Sequence, residues 1–176
     1  FGALLVESEH FTWTGEHAFA VRMPDAGWRG ELSALEQMQA KSVRELKAIH
    51  DRYQFMTVNL IAADRHGEVL YGDLGPVPHV SDERAADCRV MQGAAYDGSR
   101  SECQWGSDPD AAAPGIFGPS RLPFLFRSDF VTNSNDSYWL ANPAQPLTGF
   151  PQIIGSERQS RTLRTRSGLQ MVLERM

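Results

Sequence analysis

The residues best suited to chemistry lie in one stretch, "NSNDSYWLANPAQPLTGF" (133–150), where Asn133, Asn135 and Asn142 stand among a Tyr138–Trp139 pair and two prolines. An asparagine NH2 that is held by its surroundings and aimed into a cleft can donate to the oxygen of a tetrahedral acyl-transfer intermediate. Losing one such donor typically raises the barrier by about 3 kcal/mol. The same "NSND" also suits an Asx-turn closing a strand, which is the commoner use of such amides. Other constellations are missing from the sequence. His10, His17, His50, His66 and His79 show none of the HxxxH, HxH or HExxH spacings that bring two imidazoles to one ion, so no metal or other cofactor is expected. There is no GxSxG elbow and no glycine-rich phosphate loop, and Cys88 and Cys103 are too far apart for a redox CxxC.

The elements that must position these amides can be read from periodicity. "ALLVESEHFTWTGEHAFAVRMPDAG" alternates apolar and polar residues around Phe19 and Val21, which predicts two strands with a turn near Gly15. "GELSALEQMQAKSVRELKAIHDRY" shifts to helical spacing. Leu32, Leu35 and Met38 share one face and Val43, Leu46, Ile49 and Tyr53 another, while Ser42 with Glu45 fits a capping box, so two consecutive helices are expected near 31–53. "FMTVNLIAADRHGEVLYGDLGPVP" reads as a hairpin near 55–74, turning at "DRHG", where Gly67 can take a positive φ. Residues 76–123 are rich in Gly, Pro, Ser, Asp and Ala and predict an irregular region. An excursion of that length needs pinning, for which a Cys88–Cys103 disulfide is preferred over two buried thiols; the bridge also implies an oxidising compartment. "DFVTNSN" then reads as a strand, the asparagine segment as an ordered loop within 129–150, and "SERQSRTLRTRSGLQMVLERM" as a closing helix near 158–175.

Composition narrows the function classes. A 176-residue chain that is 41% hydrophobic can build one sizeable core and is too apolar to be disordered. A net charge of −5, with arginines scattered except in "RTLRTR", argues against a nucleic-acid partner. No apolar window approaches the ~20 residues needed to span a bilayer, so no membrane partner is expected.

Three quoted segments together carry a resemblance. "NSNDSYWLANPAQPLTGFPQIIG", followed by "RTLRTR", resembles the β chain of the penicillin acylase family of N-terminal nucleophile hydrolases, most closely its acyl-homoserine lactone and aculeacin acylase branch. "VNLIAADRHGEVLYGDLGPVP" resembles the family's core hairpin, and "DGSRSECQWG" is similar to the branch's stretch before the oxyanion strand. The likeness runs in order from about Trp13 to Leu173. It implies an α+β fold that forms part of an αββα four-layer sandwich. It also implies a precursor that cuts itself to expose a serine as the first residue of a β chain. The α-amino group of that serine, with an ordinary pKa of about 8, acts as the base for attack on an amide.

Carried over residue by residue, the family's oxyanion asparagine matches Asn135, with Asn133 and Asp136 as side chains that fix its amide. An arginine on the helix after the loop matches Arg161, with Arg164 as second choice. The residue before the hairpin asparagine lines the acyl pocket; here that is Val58, next to Asn59. Met56, expected on the same strand face, and Leu35, on the preceding helix, are further pocket candidates, and each would equally serve as ordinary core. The wording of "NSNDSYWL" and "PLTGF" is closer to relatives that remove long aliphatic acyl chains than to those that remove phenylacetyl groups.

The opening residues depart from the family pattern. The chain begins with Phe1, and nothing near it resembles the family's β-chain opening, so an internal β-chain segment is expected, inactive alone. Its partners would be the remaining β-chain segments and the α chain of the same precursor, its substrate a small acylated amide, and its location periplasmic or secreted. A secreted binding module that keeps the scaffold without the nucleophile is the other reading.

Overall fold

A computed structural model describes residues 2–9, 11–24, 27–90 and 95–176; His10 lies outside them. The chain runs β1 (Ala3–Leu4), β2 (Ala20–Val21), α1 (Arg29–Gln37), α2 (Val43–Tyr53), β3 (Leu60–Ala63), β4 (Val69–Gly72), α3 (Asp82–Cys88), β5 (Arg89–Val90), β6 (Ala95–Tyr96), β7 (Phe124–Arg127) and α4 (Leu163–Leu173). This is an α+β arrangement around an antiparallel sheet ordered β3-β4-β7.

The sheet is built on the "DRHG" turn. Asp64 Oδ1 accepts from the amides of His66 and Glu68, at 2.8 and 3.2 Å, and Gly67 takes φ +86°. Asp64 Oδ2 accepts from the amide of Val43 at 3.2 Å, so the same carboxylate ties the first turn of α2 to the hairpin. Ser42 caps α2 by accepting from the Glu45 amide, and the Glu45 carboxylate reaches back to the amide of Lys41 at 2.8 Å, one residue earlier than in the usual capping box. On the sheet, Tyr71 pairs with Leu125 and Leu70 with Phe126. Neighbouring residues of a strand face opposite ways. Tyr71 and Leu125 therefore meet Tyr138 and Ala141 in a core completed by Val131, Trp139, Leu147, Phe150 and Ile154. On the other face α2 lays Arg44 over the ring of Phe126 and Lys47 over that of Phe124.

The region expected to be irregular holds α3, β5 and β6 and contributes to a second core. Leu74, Phe117 and Leu122 form this core, which shares Ile154 with the first. Gln54, a wholly buried left-handed residue ending α2, donates to the Phe117 carbonyl and accepts from the Ala112 amide, both at 2.8 Å. Cys88 and Cys103 are disulfide-bonded, with their Cα atoms 5.7 Å apart.

Several sequence expectations are corrected. The strand expected at "DFVTNSN" ends earlier, at Arg127. Asp129 turns the chain by accepting from Arg127 and from the Phe130 amide, and the Thr132 amide bonds Ala141 within the loop instead of a neighbouring strand. The closing helix starts at Leu163, because Thr162 caps it by accepting from the Thr165 amide at 3.2 Å. The apolar row of α1 faces outward, with Leu32, Leu35 and Met38 at 40, 62 and 84% exposure, while Ser33 is its buried residue. The two strands expected near the N-terminus are present, β1 pairing with β2, and Gly15 sits in a bend held by Thr14 Oγ1, which accepts from the amides of Glu16 and His17.

Candidate functional site

Asn135 sits at the crest of the loop that follows β7. It is exposed, adopts the left-handed conformation at φ +55°, and makes no side-chain hydrogen bond to another described residue. Asparagine is the residue besides glycine for which that conformation costs least, so the sequence tolerates here a backbone that would strain most others. Its amide is thereby presented outward.

Both neighbours of Asn135 are fixed. Asp136 Oδ1 accepts from Arg161 Nη1 at 2.8 Å and from the Ser137 amide at 2.8 Å, and its Oδ2 accepts from the Thr165 hydroxyl at 2.6 Å. Burial pushes the Asp136 carboxyl up, but the Thr165 hydroxyl, the Ser137 amide and the Arg161 charge outweigh it and hold the group below its ordinary value, so it stays a carboxylate. On the other side, Arg164 Nη2 donates to the Ser134 carbonyl. Helix α4 approaches that point closely, since a Cβ on Gly168 would lie 3.2 Å from Ser134 Oγ. The loop is thus riveted to α4 on either side of one free amide.

Asn133 supplies the third constraint. Its Oδ1 accepts from the Asp136 amide at 3.0 Å, and its Nδ2 donates to the Asp136 carbonyl at 2.9 Å and to the Tyr71 hydroxyl at 3.4 Å. Farther along, Glu157 Oε1 accepts from the Tyr138 hydroxyl and from the amides of Gly149 and Phe150, closing the proline-rich segment. Tyr138 is fully buried, edge-on to Phe150 at 5.1 Å. Asn142 is equally buried and serves the loop itself: its Nδ2 donates to the Phe130 carbonyl at 2.8 Å and its Oδ1 accepts from the Ala144 amide at 2.9 Å.

Arg161 differs from expectation in two ways. It stands ahead of α4, before the Thr162 cap, whereas Arg164 lies on the helix. Its guanidinium is spent on Asp136, Ser156 Oγ and the Gln159 carbonyl and lies over the Trp139 ring at 5.4 Å, so it reaches Asn135 only through the neighbouring residue.

The three pocket candidates are less gathered. Val58 and Leu35 are 51 and 62% exposed, and Met56 is half-buried. Met56 and Val58 precede β3, which begins at Leu60, so they do not share a strand face as expected. The partner strand ends at Gly72, beyond which Leu74 turns inward to Phe117 and Leu122. The backbone at Met56 instead abuts Gly75, where a Cβ would come within 2.0 Å of the Met56 carbonyl oxygen. A surface depression of about 630 Å³ lies elsewhere, lined by Arg44, His66, Gly67, Glu68, Phe126, Arg127 and Ser128, and includes none of the candidate residues.

Two residues that matter to the loop escaped sequence reading. Tyr71 sits in a run, "VLYG", that reads as plain strand, and Thr165 lies among arginines that draw the eye. The Ser/Thr content of "SRTLRT" was the available signal, since a hydroxyl one turn into a helix is placed to meet a carboxylate near its N-terminus. Among the described residues no group of three or more His, Cys, Asp or Glu is arranged to hold a metal, and no helix is long and apolar enough to cross a membrane.

The chain is similar to known acylases over its whole extent. It is 50% identical to aculeacin-A acylase of Actinoplanes utahensis, covering 100% of this chain and 24% of the relative. It is 38% identical to acyl-homoserine lactone acylase PvdQ of Pseudomonas fluorescens, covering 96% of this chain and 22% of that one, and 38% identical to the PvdQ of Pseudomonas putida, covering 97 and 23%. It therefore spans about a quarter of the length of these relatives. The family model for penicillin amidase matches residues 2–176, and with these likenesses the chain belongs to the penicillin amidase family.

Proposed function

We propose that this chain is an internal β-chain segment of an acylase precursor that hydrolyses an acyl amide, of acyl-homoserine lactone, lipopeptide or penicillin type. The nucleophile would be an N-terminal serine outside the segment. Asn135 would donate to the oxyanion of the tetrahedral intermediate. Arg161 would position it through Asp136, while Val58, with Met56 and Leu35, would wall the acyl pocket once the rest of an αββα sandwich is in place. The remaining β-chain segments and the α chain would complete the site, so the segment alone would not turn over substrate. The disulfide fits a periplasmic or secreted location.

The observation that carries this reading is the isolation of one amide. Asn135 is exposed and unpaired in its side chain, while Ser134 and Asp136 are both bonded to α4 or its flank. The backbone on both sides of that donor is fixed, which supplies part of the preorganisation on which oxyanion donors depend. The names of the relatives, aculeacin-A acylase and acyl-homoserine lactone acylase, favour an acyl amide of one of those two kinds.

The test is acyl release from an N-acyl-homoserine lactone and from a lipopeptide by the full-length, self-processed protein and its Asn135→Ala variant. The variant is expected to lose about 100- to 1,000-fold in kcat with an unchanged Tm. A folded variant with near-normal rates would remove Asn135 from the role. A processed parent that cuts neither these substrates nor a phenylacetyl amide would favour the binding module.

A further inference from the structure

We propose that the Tyr71 hydroxyl is a positioning group that couples the wall of the acyl pocket to the oxyanion loop, through Asn59 on one side and Asn133 on the other; the proposal rests on the acylase reading above. Tyr71 OH donates to Asn59 Oδ1 at 2.5 Å, and Asn133 Nδ2 donates to Tyr71 OH at 3.4 Å. Asn59 follows Val58, the pocket-wall residue, and Asn133 grips both the amide and the carbonyl of Asp136, next to Asn135. A single side chain therefore spans the distance between the two parts of the site.

The direction of the chain is fixed at every joint. Asn133 Oδ1 is committed to the Asp136 amide, so its NH2 faces Tyr71 together with the Asp136 and Ser137 carbonyls; the Tyr71 oxygen accepts there and has its one proton left for Asn59. Burial, with Asp73 nearby, pushes the phenol up, so the hydroxyl keeps that proton across the working pH range. The ring cannot drift to relieve a poor contact, because it is wholly buried among Leu125, Tyr138 and Ala141.

The two bonds are unequal, and the inequality gives the coupling a sense. The Asn59 bond is short and the Asn133 bond long for its type, so the second is the joint that tightens or opens. An acyl chain that presses on Val58 shifts Asn59, and with it the hydroxyl on which Asn133 rests. Chain length is then read in kcat, through the aim of Asn135, and not only in binding.

The experiment compares the full-length processed enzyme with Tyr71→Phe, Asn59→Ala, the double variant and Asn135→Ala, using N-acyl-homoserine lactones of short and long acyl chains. Tyr71→Phe is expected to lower kcat about tenfold on the preferred chain, to move KM by less than about twofold, and to flatten the dependence of kcat on chain length. Asn59→Ala should reproduce the flattening with the phenol intact, and the double variant should be no slower than Tyr71→Phe. Unchanged kcat and chain profile in Tyr71→Phe, or effects that multiply in the double variant, would overturn the coupling. If Tyr71→Phe does not fold, Asn59→Ala decides alone: a profile like the parent's overturns it, and a flattened one supports it. Asn135→Ala separates this from the wider reading. Normal rates there defeat the acylase assignment of the site, whereas a dead Asn135→Ala beside a normal Tyr71→Phe defeats the coupling only.

Discussion

Arg161 and Asp136 form the pair that anchors the loop bearing Asn135: Nη1 lies 2.8 Å from Oδ1, with the two side chains only 6 and 17% exposed. The arginine also donates to Ser156 Oγ at 3.2 Å and to the Gln159 carbonyl at 3.0 Å, so three directions of a planar fork are in use. A lysine offers one point of charge and no fork. Arg161→Lys is expected to cost about 2 kcal/mol of stability and to slow turnover about tenfold with little change in KM, as thermal melts and steady-state kinetics on the processed enzyme would register.

Asn142 should matter to folding instead of chemistry. Its side chain is wholly buried and makes donor bonds to the Phe130 carbonyl and Asp129 and an acceptor bond from Ala144. Asn142→Ala removes these partners from the Phe130 carbonyl and the Ala144 amide, Asp129 keeping Arg127, and is expected to destabilise by about 2 kcal/mol, measured as a fall in Tm.

Asp73 carries a pH dependence of definite sign. Burial pushes its carboxyl up from 3.8 to about 6. An acid whose folded value is raised favours the folded state when protonated, so this contribution is full below about pH 4 and lost as pH rises through about 6. Asp73→Asn is expected to stabilise by about 2 kcal/mol near pH 7 and by nothing near pH 4, in melts taken across that range.

The Cys88–Cys103 bridge closes a loop with a sequence separation of 15. Replacing both cysteines by serine is expected to cost about 3 kcal/mol and to lower Tm in the absence of reductant, whereas reductant should lower the Tm of the parent alone.

What the sequence made legible depended on how local the cause was. The "DRHG" turn, the Ser42 cap and the helical spacing of Val43 and Ile49 are decided within a few residues, and they can be read directly. The outward face of Leu32, Leu35 and Met38 could not, because periodicity marks an apolar stripe without saying what covers it. The end of β7 was missed for another reason. "DFVTNSN" has the composition of a strand, but Asp129 and Asn142 take the backbone bonds that a neighbouring strand would need. Within the candidate site, Asn133 and Asp136 were picked out by the family resemblance as side chains that fix the Asn135 amide; they bond each other, Tyr71, Arg161 and Thr165, and not that amide. Tyr71 and Thr165 were not picked out, because their roles arise from chain segments brought together across the fold.

Gly75 shows how a missing side chain can set the spacing of two chain segments. Its lack of a side chain lets the chain after β4 lie directly against the carbonyl of Met56, so the segment bearing Met56 and Val58 rests on bare backbone. The position works as a spacer of zero thickness. Even a methyl group there would force the Met56 carbonyl, and the segment that carries it, to give way. Residue 75 is therefore a position where added volume would act on the Met56–Val58 segment from behind, through backbone and not through a side chain.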